Sequence, residues 1–328
     1  MNGSHRDPLI LDVDTGEDDA LAILLAAKKR LSLPYIFTSY GNTTLENATR
    51  NSSRLLSLVQ NHTTQVLPFS AAPLHPHPLE DVVAATADFV GQDGICQTPL
   101  PPATHDNIIH TSHPLATAVD LLRHTPPYDY IVTGPCTNLA RLCQQLGSGI
   151  NQYLNSITIM GGAIYTPGNK GPRDEQGRPY AEFNFYNDPL AVNIVLTTAG
   201  QAGIPVRLVS WDITATVTIP YDDIVRFQTT DSAGAFVIQL MRNFFVHYGL
   251  SHKRPFELND PLTILAHLGL GSYRPLKITI ATTKERYGHS HLDPQGSPIS
   301  YWQPTVTECA QGTADILQTL HIGLETGD

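Results

Sequence analysis

Short apolar runs alternate along the chain with longer stretches of helical spacing. Leu9 to Asp14, Tyr35 to Tyr40, Tyr128 to Thr133, Ser156 to Met160 and Pro205 to Ser210 read as buried strands. Helical spacing fills Asp19 to Ala27, Leu45 to Gln60 with Asn42 or Thr43 as cap, Leu79 to Val90, His113 to His124 and Asp188 to about Thr198. Farther on, Ser232 to Tyr248 is amphipathic and rich in aromatic residues, Asp260 caps a helix over Leu262 to Leu268, and Lys277 to Ala281 is strand-like. The polar segment after Arg274 is otherwise not assigned. This alternation predicts an α/β fold, an open, mostly parallel, doubly wound sheet with helices on both faces, as a single domain over residues 1–328.

Polar residues recur where the strands end, which is the edge where such sheets bind ligands. The densest group is Asp12, Asp14, Glu17, Asp18 and Asp19 in LDVDTGEDDA. Helix capping accounts for one or two of the last three. It does not account for Asp12 and Asp14, two residues apart on the strand, and such crowding is costly unless a cation or a hydroxyl-rich ligand sits among the acids. LDVDTG alone also fits the DxDx(T/V) loop of a haloacid-dehalogenase-type phosphatase, with Asp12 as nucleophile and Asp14 as acid.

Composition narrows the choice. Thirty acids against 20 lysines and arginines give a formal charge of −10 over 328 residues, and no basic tract offers itself to nucleic acid. Met1 to Pro8 is polar, unlike a signal peptide, and no apolar run is long enough to cross a membrane. Cys96, Cys136, Cys143 and Cys309 lack CxxC spacing and read as scattered reduced thiols, so a cytoplasmic enzyme is expected. His75 and His77, and His289 and His291, fall in loop sequence and read as ordinary surface histidines rather than metal ligands.

Five motifs in order, DVDTGEDDA at 12–20, GNTTLENATRN at 41–51, TGPCTNLA at 133–140, GGA with GN and AEFN between 161 and 184, and NDPL at 259–262, resemble the nucleoside hydrolase family of the inosine-uridine preferring type over nearly the whole chain. The resemblance implies hydrolysis of the N-glycosidic bond of a ribonucleoside to ribose and free base. It implies that Asp14, Asp19, Asp260 and the carbonyl of Thr137 bind Ca²⁺, an assignment that suits hard oxygen donors. Asp14 then activates a metal-bound water as general base. Asp18, Asn42, Asn169, Glu182 and Asn184 are implied to hydrogen-bond the sugar, with Met160, Phe183 and Asn259 lining the pocket. Fixed carboxylates beside an oxocarbenium-like sugar stabilise its developing charge. Family members are commonly homodimers or homotetramers, with no nucleic-acid or membrane partner.

The base-facing side departs from the family pattern. Asn259 stands where members often carry the histidine that protonates the leaving base, and Val90 stands where a His-Gly pair is common. A neutral amide is no general acid near pH 7. Replacements considered are stacking on Trp211, Trp302, Phe183, Phe245 or Tyr248, or an acid supplied by His247 or His252. A sugar-binding homologue without turnover is a further alternative. Thr166 to Pro179, carrying Lys170 and Arg173, reads as a mobile loop able to act as a lid.

Overall fold

The computed structural model describes residues 7–81, 83–250 and 255–325. Among them, nine strands form one sheet: β1 (Leu9–Val13), β2 (Tyr35–Ser39), β3 (Gln65–Ser70), β4 (Tyr128–Val132), β5 (Leu154–Met160), β6 (Val206–Val209), β7 (Ser272–Ile280), β8 (Ser290–Leu292) and β9 (Ser297–Gln303). Their order is β8-β7-β9-β6-β5-β4-β1-β2-β3. Neighbours from β3 across to β9 are parallel, and β7 runs against β8 and β9. The chain leaves β1 toward β2 and β3, then returns to place β4 on the other side of β1. That reversal opens a crevice above the C-terminal ends of β1 and β4.

Eight longer helices cover the sheet: α1 (Glu17–Lys28), α2 (Leu45–Leu58), α3 (Pro114–Leu122), α4 (Thr137–Leu146), α5 (Pro189–Ala202), α6 (Ser232–Phe244), α7 (Asn259–His267) and α8 (Val306–Thr319). Alternate residues of β1 serve opposite cores. Leu9, Leu11 and Val13 pack with α1, α2, α6, α7 and α8, whereas Ile10 packs with Tyr130, Val132 and helices α3, α4 and α5. Because both faces are covered, every β1 residue is apolar except Asp12, which is therefore a buried charge in need of partners.

Several local expectations are corrected. The cap of α2 is Thr44, whose hydroxyl accepts from the Asn47 amide at 3.2 Å, rather than Asn42 or Thr43. The predicted helix over 79–90 shrinks to turns at Ala84–Thr86 and Ala87–Val90. Residue Glu80 is instead tied to Lys170 of a distant hairpin, so tertiary pairing overrides local spacing. The 166–179 segment is no open loop but an antiparallel hairpin of Lys170–Arg173 and Pro179–Ala181, its turn held by Asp174, which pairs with Arg178 at 2.7 Å. Helix α6 ends at Phe244 and passes into a wider turn over Phe245–Gly249. The strand-like 277–281 stretch belongs to the longer β7, and the unassigned C-terminal segment supplies β8, β9 and α8. Finally, α7 begins at Asn259 and has no side-chain cap, so the Asp260 carboxylate does not cap its helix.

Candidate active site at the sheet switch point

Two glycines, Gly41 after β2 and Gly134 after β4, let both strand ends approach the end of β1 at the crevice. A Cβ on Gly41 would lie 1.8 Å from Asp14 Oδ2, and one on Gly134 would lie 3.0 Å from the Asp14 nitrogen. The chain turns after Asp14 at Thr15, with φ +26°, where the hydroxyls of Thr15 and Ser52 hydrogen-bond at 2.7 Å. Asp14 Oδ2 accepts the Asn42 amide at 2.8 Å and Oδ1 accepts Asn42 Nδ2 at 3.2 Å. Asp19 accepts Gly16 N–H at 2.9 Å with one oxygen and the Thr133 hydroxyl at 2.6 Å with the other.

The acids thus crowd one another. Asp14 is hydrogen-bonded to Asp19 and Asp18 to Asp260. One oxygen from each of Asp18, Asp19 and Asp260 lies within 4.8 Å of the other two. Burial, then the charge of Asp19, raises Asp14 well above the usual carboxylate range. Burial and then Asp18, Asp19 and Asp14 do the same to Asp260, while burial, then Asp19, pushes Asp18 up to about 6. Four acids whose nearest charged neighbours are acids fit a hard, oxygen-seeking cation. The donors are all oxygens, with no thiol or imidazole among them.

Asp12 is different. It is fully buried, and its two oxygens accept the Tyr130 hydroxyl at 2.8 Å and Asn138 Nδ2 at 2.7 Å. Burial still pushes it up to about 7. Asn138 also donates to the Thr38 carbonyl at 3.2 Å, so Asp12 ties β1, β2, β4 and α4 together beneath the site. A carboxylate so enclosed cannot attack phosphorus, which removes the phosphatase reading. Thr137 lies beside this brace with its hydroxyl donated to Asp188 at 2.8 Å.

Above the acids lies a cavity of about 290 Å³. Its polar end carries Asp18, Asn42, Glu182, Asn184, Asn259 and Asp260. Glu182 caps the short helix Phe183–Asn187, accepting backbone N–H groups of Gly162, Asn184 and Phe185 at 2.9, 2.9 and 3.2 Å. Burial nonetheless pushes it up to about 7. Asn184 Nδ2 donates to the carbonyls of Thr133 at 2.8 Å and Met160 at 3.3 Å, joining β4 to β5. Asn259 Nδ2 donates to Asp18 at 3.2 Å, while its Oδ1 is buried without a partner. The other end is lined by Phe89, Phe183, Trp211, Phe244, Tyr248 and Phe256. Among the described residues Lys170 is the only cationic side chain of the wall, and it is paired with Glu80 at 3.1 Å.

Met160, Asn169, Phe183 and Trp211 also meet here, and Asp14 and Asp19 lie directly behind the polar end. Phe245 and His247 do not join them. The Phe245 ring stacks on Tyr221 at 3.9 Å, and His247 is exposed on the turn after α6. His252 lies outside the described residues. Trp302 is fully buried on β9, its indole N–H spent on the Leu270 carbonyl at 2.7 Å. Sequence reasoning passed over Glu17, Thr133, Phe89 and Phe256 as wall residues. Thr133 had a signal, since it opens TGPCTNLA, whereas the aromatics obey the same periodicity as core residues.

Comparison with known proteins places this geometry. The sequence model of the family described as inosine-uridine preferring nucleoside hydrolase matches residues 9–317. The pyrimidine-specific ribonucleoside hydrolase RihA of Photobacterium profundum is 33% identical over 264 residues, 78% of each chain. Its Escherichia coli counterpart is 33% identical over 289 residues, 85% of this chain and 83% of the relative. Among solved structures, a purine-preferring ribonucleoside hydrolase from Gardnerella vaginalis superimposes with a TM-score of 0.80 at 21% identity, over 96% of this chain and 98% of its own. No helix of the described residues is long and apolar enough to cross a membrane.

Proposed function

The chain belongs to the inosine-uridine preferring nucleoside hydrolases, enzymes that hydrolyse the N-glycosidic bond of ribonucleosides, and from that membership we propose that it does so with Asp14 as general base beside a bound Ca²⁺ ion. The observation that carries this reading is the set of acids Asp14, Asp18, Asp19 and Asp260, all buried except half-buried Asp18, crowded at the polar end of the cavity. Asp14, Asp19 and Asp260, with the main-chain oxygen of Thr137, would hold the ion. When bound, the ion offsets the mutual repulsion of these acids and makes a neighbouring water more acidic.

Ribose enters the polar end, where Asp18, Asn42, Asn169, Glu182 and Asn184 offer carboxylates and amides to its hydroxyls. Asn42 holds Asp14 by two hydrogen bonds, which fixes the direction in which Asp14 can take a proton. As the C1′–N bond breaks, its electron pair leaves with the base, a water oxygen bonds C1′, and the water's proton passes to Asp14. Positive charge that grows on the sugar ring meets the fixed carboxylates Asp18 and Glu182. The departing base lies against the aromatic end. The assay is ribose release, read as reducing sugar, from inosine, adenosine, guanosine, uridine and cytidine. At least one is cleaved by the native enzyme and none by Asp14→Ala. Undiminished activity after exhaustive chelation removes the Ca²⁺ assignment.

A further inference from the structure

The turn that holds Asp14 is itself held from its far side. Asp14 accepts the Asn42 amide and the Asn42 side chain, so the direction of its carboxylate depends on the Gly41-Asn42 turn. That turn opens on a glycine, which does little to fix its own backbone. The peptide joining Gly41 to Asn42 is trans, so its N–H and its carbonyl point opposite ways. The N–H faces Asp14. Beside the carbonyl stands Thr86, whose Oγ lies 3.4 Å from the Gly41 oxygen and 2.9 Å from the Asn42 oxygen.

Thr86 stands 44 residues along the chain from Asn42, at the end of the Ala84–Thr86 turn. Its hydroxyl also reaches the Val83 carbonyl at 2.9 Å, the bond a threonine makes within its own turn. One proton is shared among the three oxygens, and local structure requires only the bond to Val83. Thr86 is buried, at 3% exposure, and its side of the 84–90 turns forms part of the cavity wall. Three residues on, Phe89 lines the aromatic end and meets Tyr248 edge-to-face at 4.3 Å. One hydroxyl thus joins the segment that faces the base to the turn that aims Asp14.

We propose that Thr86 is a positioning residue for the hydrolysis: its hydroxyl clamps the Gly41-Asn42 turn against Asp14 and so keeps the general base in line with the attacking water. This rests on the N-ribohydrolase reading with Asp14 as base. Thr86 exchanges no proton with the substrate and acts through Asn42. Loss of the hydroxyl leaves the Asn42 carbonyl without this donor. The turn then relaxes, and alignment suffers more than binding.

The test measures kcat and KM for ribose release from the nucleoside cleaved fastest, with the native enzyme, Thr86→Val and Thr86→Ser. Valine keeps the shape and removes the hydroxyl, whereas serine keeps the hydroxyl. Because small misplacements of reacting groups cost rate, kcat of Thr86→Val falls about 10-fold while KM moves less than about threefold, and Thr86→Ser keeps at least about a third of the native kcat. Thermal melting shows that each variant is folded at the assay temperature, and Thr86→Ala, with less bulk against the carbonyls, replaces a valine variant that is not. The proposal is overturned if the variant without the hydroxyl keeps the native kcat, if its loss falls on KM alone, or if Thr86→Ser is equally slow. The hydroxyl is then idle, a substrate contact or a matter of packing. A native enzyme that releases no ribose from any nucleoside refutes the hydrolase reading and takes the proposal with it, and an active Asp14→Ala variant does the same to the general base.

Discussion

Stripping the protein of divalent ions and raising the pH should destabilise it by an amount that follows from two buried carboxyls. Glu182 moves from an ordinary 4.5 up to about 7, and Asp12 from 3.8 up to about 7, both chiefly through burial. Between the ordinary values and about 7, the folded protein keeps two protons that the unfolded chain has released. Stability therefore falls as the pH rises through that window: the contribution is whole below about pH 4 and gone above about 7. At about 1.4 kcal/mol per pKa unit, Glu182 accounts for about 3 kcal/mol and Asp12 for about 4. A chain of 328 residues unfolds with an entropy of about 0.7 kcal/mol/K at the usual value per residue, so the two lower the Tm by about 10 °C between pH 4.5 and 7.5. Asp14, Asp18 and Asp260 are raised as well and steepen the fall. Scanning calorimetry of the chelated protein across this range reads the slope directly. Saturating Ca²⁺ should flatten it, because an ion that binds ionised ligands stabilises most at high pH. A chelated Tm that stays level or climbs over the same range would refute the account of these acids as buried and uncompensated.

Three substitutions probe the parts of the site separately. Gly41→Ala drives a methyl group into the space of Asp14 Oδ2, and ribose release should fall at least 100-fold while far-UV circular dichroism stays native. Tyr130→Phe deprives buried Asp12 of its hydroxyl donor and should cost about 1–3 kcal/mol in urea unfolding, because a buried acceptor is left without its partner. Asp212→Ala removes a carboxylate that accepts the backbone N–H groups of Ile164, Tyr165 and Thr166 and the hydroxyls of Ser210 and Tyr301. That anchor stands just before the 170–181 hairpin, so limited proteolysis should cut the hairpin sooner and KM should rise more than kcat falls.

How far the sequence could be read depends on where the partners of each residue lie. Strands β1, β2, β4, β5 and β6 and most of the helices on them were legible from spacing, because a strand covered on both faces is apolar nearly throughout and a helix against it is not, whereas β3 and α8 went unread. The acid cluster was legible because Asp14, Asp18 and Asp19 are neighbours in the chain and too crowded for capping to explain. Asp260 shows the opposite case. As Asn-Asp-Pro it reads as a helix start, and only α7 packing against α1 turns its carboxylate toward Asp18 instead of its own helix. The 79–90 segment has helical spacing but only two short helical turns at its end, because Glu80 is drawn to Lys170 and to Tyr186, both more than eighty residues away. Strands β8 and β9 escaped notice for a further reason. β8 is the edge of the sheet, and β9, though flanked by β7 and β6, carries polar, exposed and Pro-containing positions, so neither shows the continuous burial that makes an inner strand recognisable.

The base-facing wall follows the same logic with a functional consequence. Phe89, Phe244 and Phe256 obey the periodicity of core residues because they are packed against the core on one side, and the cavity takes only their other side. The acid end of the cavity is set largely by the run Asp14 to Asp19 at one strand end, joined by Asp260 from α7, so most of it can be read from one motif. The aromatic half is assembled from the 84–90 turns, α6 with the turn after it, and the segment before α7. It can therefore change residue by residue without disturbing the motifs that reveal the family, whereas Val90, which the sequence suggested for this wall, is fully buried in the core.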